Sequence, residues 1–130
     1  MTSIPDSHQD LLAAQVATLS TVGKSGYPQV TAIWFLYDEG ELRLSLNTSR
    51  QKVKNLRHHP HCTLFIMDPE TDYRYLEVRG DARIADDPDY LFADKVGKKY
   101  GADLRVHDKP GDSRVAITIE PTKVNAISMR

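Results

Sequence analysis

Q-V-T-A-I-W-F-L-Y-D-E-G-E-L-R-L-S-L, residues Gln29 to Leu46, decides the fold. Gln29 to Tyr37 is rich in β-branched and aromatic side chains and apolar on both faces, which reads as a long second strand covered on both sides. Asp38-Glu39-Gly40 then makes a tight turn. From Glu41 to Leu46 the chain alternates, with Leu42, Leu44 and Leu46 on one face and Arg43 and Ser45 on the other. Two strands joined by so short a turn must be antiparallel, because a parallel pair needs a crossover of a dozen or more residues.

The pattern repeats on either side. Upstream, Pro5 and Asp6 open a short helix through Leu12, Val16 to Thr21 reads as the first strand, and Gly23-Lys24-Ser25-Gly26 is a turn. Downstream, His61 to Met67 is a strand that Asp68-Pro69 ends. Tyr73 to Ile84 alternates, with Tyr75, Glu77, Arg79 and Asp81 on one face and Leu76, Val78 and Gly80 on the other. Asp86-Asp87-Pro88 opens a helix through Tyr100 that Gly101 stops, and Leu104 to Asp112 is a polar loop. Arg114 to Glu120 and Lys123 to Ser128 read as two last strands separated by Pro121. Seven strands joined mostly by hairpins, with three short helices, predict a mainly β, antiparallel barrel rather than a doubly wound sheet. Neither a G-x-G-x-x-G after a strand nor a P-loop is present, and there are no internal repeats.

Composition narrows the function classes. With 130 residues and 40% hydrophobic content, residues 1–130 read as one domain. A net charge of −1 and a pI near 6.5 argue against a dedicated nucleic-acid binder. No run of 18 apolar residues suggests a membrane span, and M-T-S-I-P-D-S-H-Q-D lacks the basic start and apolar core of a signal peptide, so a cytoplasmic protein is expected. The single Cys62 fits a reducing compartment and reads as a small buried hydrophobe.

Charge is distributed unevenly. From Leu42 to Met67 there are five Lys or Arg residues and no acid. Within that span, S-L-N-T-S-R-Q-K-V-K-N-L-R-H-H-P (Ser45 to Pro60) leaves the strand and turns helical. Asn47, Thr48 and Ser49 are capping types, Val53 and Leu56 share a face, and Pro60 is the stop. Cations such as Arg50 and Lys52 have the wrong sign for a helix N-terminus unless something negative sits there, so the turn reads as a phosphate site. The alternative is that Arg50, Lys52, Lys54 and Arg57 are the solvated side of a surface helix.

Other constellations say less. His58, His59 and His61 are read as helix-end histidines rather than zinc ligands, since the adjacent imidazoles of His58 and His59 cannot easily aim at one ion and Pro60 intervenes before His61. The serines lack an elbow motif, so no nucleophilic triad is expected; Asp68, Glu70 and Asp72 read as a turn. Trp34 is either core or a wall for a flat ring or a subunit contact, and Tyr73 and Tyr75 carry the same two readings.

Three segments together, A-T-L-S-T-V-G-K-S-G-Y-P-Q-V-T-A-I-W-F (Ala17 to Phe35), S-R-Q-K-V-K-N-L-R-H-H-P (Ser49 to Pro60) and Y-L-E-V-R-G-D-A-R-I (Tyr75 to Ile84), resemble the pyridoxamine 5′-phosphate oxidase-like split-barrel flavoproteins. The S-R-Q-K-x-x-N-L-R form resembles the branch that uses the deazaflavin coenzyme F420. That resemblance implies a six- or seven-stranded antiparallel split barrel, a homodimer with cofactor grooves at its interface, and a small-molecule substrate; no nucleic acid or membrane partner is expected. Carried over by position, Thr48, Ser49, Arg50 and Lys52 hold the phosphate and Arg57 more distal anionic groups. Gln29, Val30, Thr31, Ala32 and Ser45 line the ring, and Tyr73 and Tyr75 come from the second subunit. Coenzyme F420 is the expected cofactor and FMN the alternative, with no protein acid or base required. The last residues, A-I-S-M-R, offer only Arg130 where pyridoxamine oxidases proper carry further basic residues for the substrate's phosphate, so a different substrate is expected.

Overall fold

The computed structural model describes residues 2–129; Met1 and Arg130 lie outside them. After a 3-10 helix at Asp6–Ala13, the chain forms β1 (Ala17–Val22), β2 (Pro28–Ile33), β3 (Leu36–Asp38), β4 (Glu41–Asn47), α1 (Gln51–His58), β5 (His61–Met67), β6 (Arg74–Asp86), α2 (Leu91–Tyr100) and β7 (Arg114–Ser128). A short 3-10 turn, Leu104–His107, precedes β7. All pairings are antiparallel, and the seven-stranded sheet runs β2-β1-β5-β6-β7-β4-β3.

That order forces the sheet to curl. β2 and β3 lie at its opposite ends, which in a flat sheet would stand about 29 Å apart. Yet Ile33 and Leu36 are only three Cα steps apart, at most about 11 Å. The two ends must therefore approach each other, giving a barrel that is split because β2 and β3 do not pair.

The expected long second strand is thus interrupted. Trp34 and Phe35 turn the chain from one end of the sheet to the other, and β2 is not covered on both sides, since Val30 and Ala32 point outward and are exposed. The two expected last strands are instead one. β7 passes through Pro121, which pairs with Gly80 where the register shifts; such an irregularity is where a sheet tolerates a proline. A Cβ at Gly80 would overlap the Glu120 carbonyl, so glycine lets β6 and β7 bend across each other there.

Inward side chains fill the barrel: Leu19, Leu44, Leu64, Ile66, Leu76, Val78, Ile117 and Ile119 are all but completely buried, each contributing roughly 2 kcal/mol. Val53 and Leu56 of α1 join this core. On the outer surface of β4 and β7, Phe92, Ala93 and Val96 of α2 pack with Leu104 and Ala116. This explains why β7 is buried on both faces from Arg114 to Ile119. Cys62 is buried as expected, and burial, followed by the Asp81 charge, pushes its thiol up to about 12. No helix among the described residues is long and apolar enough to cross a membrane.

Candidate functional site

β4 ends at Asn47 and α1 starts at Gln51, so four residues reverse the chain. Arg50 N donates to Asn47 O (3.1 Å) and Ser49 N donates to Asn47 Oδ1 (2.9 Å), closing a tight turn. Asn47, Thr48 and Ser49 do not cap α1 as expected. The N-cap is Arg50, in extended conformation, with no side chain bonded to the first-turn amides and no acid in the first turn. Val53 N donates to Arg50 O (3.1 Å), which leaves the N–H groups of Gln51 and Lys52 and the positive end of the helix dipole for a ligand.

Lys52 strengthens the charge argument. It is only 4% exposed and has no hydrogen-bond or ion partner among the described residues. Burial first, and the Arg50 charge second, lower its pKa. Two neighbouring cations without an acid make a place short of negative charge. The solvated-face reading holds for Lys54 and Arg57, which are exposed, and fails at Lys52.

The turn opens onto a cavity of about 570 Å³, within the range of small-molecule sites. Ala32, Ile33 and Trp34 form one side, Ser45, Leu46 and Asn47 another, Ser49 and Arg50 one end, and the loop residues His107 to Asp112 the cover. Because β2 pairs only with β1, the backbone N–H and C=O groups of its other edge are free, and Ala32 and Ile33 bring that end of the strand to the cavity. Trp34 is 39% exposed and stacks on Tyr100 with centroids 4.1 Å apart and planes 4° from parallel. Tyr100 is fixed in turn. Its hydroxyl donates to Gln15 O (2.7 Å) and accepts from Phe35 N (3.1 Å). Lys99 Nζ donates to Ala14 O (2.8 Å) and Phe35 O (2.9 Å), pinning the same seam, and burial lowers its pKa to about 8.

The loop is held by a buried ion pair. Arg114 Nε donates to Asp108 Oδ2 (2.8 Å) and Nη2 to Asp108 Oδ1 (3.1 Å), while Nη1 reaches Ser45 Oγ (3.2 Å). Tyr90 OH donates to Asp108 Oδ2 (2.5 Å) and Asn47 Nδ2 to Asp108 Oδ1 (2.9 Å). Burial by itself raises the Asp108 pKa, but the bonds from Arg114, Tyr90 and Asn47 outweigh it and hold the carboxyl at about 2. Asp108 is paired with Arg114, and Asp112 accepts from Asn47 Nδ2 and Lys109 N; Arg50, at the cavity's end, has no ion partner among the described residues.

Of the residues expected at the site, Ala32, Ser45, Ser49 and Arg50 line this cavity. Gln29 lies away from it and accepts from Asn55 Nδ2 (3.4 Å). Val30 points outward, 63% exposed, and the half-buried Thr31 has a buried hydroxyl without a hydrogen-bond partner. Thr48 Oγ1 bonds Ser113 Oγ (2.7 Å), Lys52 is buried in the first turn of α1 and is not part of the lining, and Arg57 is exposed on the last turn. Tyr73 is exposed, and Tyr75 packs its ring near Phe65 (5.0 Å) on the far part of the sheet. Sequence reading missed His107, Asp108, Lys109, Asp112 and Arg114 as a group. The only local signal was an arginine standing directly before the apolar run Val115 to Ile117.

A family model described as pyridoxamine 5′-phosphate oxidase matches residues 4–128. No curated protein matches significantly. Among solved structures, an F420 reductase is 36% identical over 94% of this chain and 98% of its own, with a TM-score of 0.81. A conserved hypothetical protein from Mycobacterium tuberculosis is 24% identical (TM-score 0.80; 99% and 88% covered). The heme storage protein HutZ from Vibrio cholerae is 14% identical (TM-score 0.75; 98% and 96% covered). The last two likenesses are likenesses of fold alone.

Proposed function

The chain belongs to the pyridoxamine 5′-phosphate oxidase family, and from that premise we propose that it is a coenzyme F420-dependent reductase acting on a conjugated or unsaturated small-molecule acceptor. One observation carries the reading: an uncapped helix start with no acid in its first turn, where Arg50 stands beside a buried Lys52 that has no partner among the described residues, opens onto a cavity bounded by a free strand edge. The similarity to a solved F420 reductase supports it.

The residues present suit such a cofactor. In this reading Ser49, Arg50, Lys52 and Thr48 take the phosphate through charge-assisted hydrogen bonds, and Arg57 meets anionic groups further along the tail. Ala32, with Ser45 opposite, borders the ring, and the backbone edge of β2, which continues through Gln29, Val30 and Thr31, offers donors and acceptors to its pyrimidine side. Trp34, locked by Tyr100, walls the cavity. Bound and reduced, a deazaflavin supplies the hydride. The chain's own work is to hold the ring against the acceptor and to exclude water, for which no protein nucleophile is needed. A second copy packed on the outward face of the sheet completes the groove with Tyr73 and Tyr75.

FMN is the alternative, because it too carries a phosphate that the same turn suits. Mass spectrometry of small molecules released from native protein separates the two. A deazaflavin with a charged tail supports the proposal; a yellow protein releasing FMN supports the flavin alternative. Cofactor retained without turnover of any acceptor would leave a binding protein.

A further inference from the structure

One side chain, Asn47, bonds both the anion-ready turn and two carboxylates of the loop over the cavity. It is 8% exposed and fully satisfied: Nδ2 donates to Asp108 Oδ1 (2.9 Å) and to Asp112 Oδ2 (2.9 Å), and Oδ1 accepts from Ser49 N (2.9 Å). Flipping the amide would set its oxygen against two carboxylates and its NH2 against a peptide N–H, so the orientation is unambiguous. A second bond runs in parallel, since Thr48 N donates to Ser113 O (2.9 Å). Asp112 Oδ2 also accepts from Lys109 N (2.9 Å), which carries the tie along the loop toward His107 and Lys109, both of which line the cavity.

We propose that Asn47 is a positioning residue that couples the anion-binding turn at Ser49 and Arg50 to the loop Leu104–Asp112, so that an anion held by the turn also orders the cavity wall carrying His107 and Lys109. The physical reason is linkage. An anion must restrict residues 48–50, and Asn47 shares its amide between that turn and two loop carboxylates. Whatever is lost in ordering one segment is therefore already lost for the other. Ordering the wall before the acceptor enters would fix its position relative to the ring.

The claim rests on the turn binding an anion, so the probe is inorganic phosphate, used on the full chain and read by hydrogen exchange. In the unsubstituted protein, phosphate should slow exchange in the turn and in residues 104–113 together, by about tenfold in the loop, in the range of ordinary coupling between sites. In Asn47→Ala the turn should still respond while most of the loop response is lost, the Thr48–Ser113 bonds carrying the remainder. Asp112→Ala, which leaves the turn and Asn47 in place, should lose part of the loop response and serves as the check should Asn47→Ala fold poorly. A merely structural Asn47 would loosen the loop equally with and without phosphate, keeping the ratio. That result, equal protection in Asn47→Ala, or no loop protection in the unsubstituted protein would each overturn the proposal. Coupling seen with phosphate but no binding of coenzyme F420 would remove the deazaflavin reading and leave the coupling standing.

Discussion

Arg50 and Lys52 stand two positions apart with no carboxylate in the first turn of α1, and Lys52 is buried without a partner among the described residues. Removing that charge while keeping the buried stem isolates its role. Lys52→Met should weaken cofactor binding by about 1.5 to 3 kcal/mol, the range of a hydrogen bond to a charged group, with an unchanged circular dichroism spectrum. An unaltered dissociation constant would refute the assignment. Asp108 permits a pH test. Its folded pKa of about 2 lies below the ordinary 3.8, so its stabilisation is present above about pH 4 and lost as pH falls from there toward 2. The amount is about 2 kcal/mol, and Asp108→Asn should flatten that limb of the stability curve in acid titrations of chemical denaturation. Arg50 was legible because cations at a helix start contradict the dipole. Asp108 and Arg114 were not: the arginine's further contact, Ser45, lies 69 positions away, and only the curl of the sheet brings them together.

Most elements were legible because their periodicity is local, and the two that were misdivided depend on distant partners. Gln29–Tyr37 has unbroken β propensity, but closing the barrel requires a corner, and Tyr100 and Lys99 hold it at Phe35. Pro121 signals a break, but the bulge opposite Gly80 absorbs it. Helix α1 is seated on β1 by a buried polar network: Asn55 Nδ2 donates to Thr21 Oγ1 (3.0 Å), and Gln51 Nε2 donates to Asn55 Oδ1 (2.8 Å). Gly23 makes room for it, since a Cβ there would overlap the Asn55 amide. Gly23→Ala should therefore destabilise the fold by about 2 kcal/mol, the scale of overpacking, measured by urea denaturation. A change within error would show that the turn yields easily and that α1 is not held by this contact.

At the scale of the whole molecule, one chain forms a split barrel whose candidate cavity has one side open and whose outward faces expose Val16, Tyr27, Val30, Trp34, Met67 and Tyr73. If a second copy covers the outward face of β2, light scattering should give a dimer mass, and Val30→Glu should reduce it to that of a monomer with the fold retained. A monomeric unsubstituted protein would remove the dimer from the proposal. The central claim, that the turn between β4 and α1 anchors an anionic deazaflavin in the adjoining cavity, is tested most directly by titrating the protein against the fluorescence of oxidised coenzyme F420, with Arg50→Ala in parallel. The account predicts saturable quenching by the unsubstituted protein and a dissociation constant raised at least about tenfold in the variant, the size of one charged hydrogen bond. No saturable quenching, or equal binding by Arg50→Ala, would contradict it.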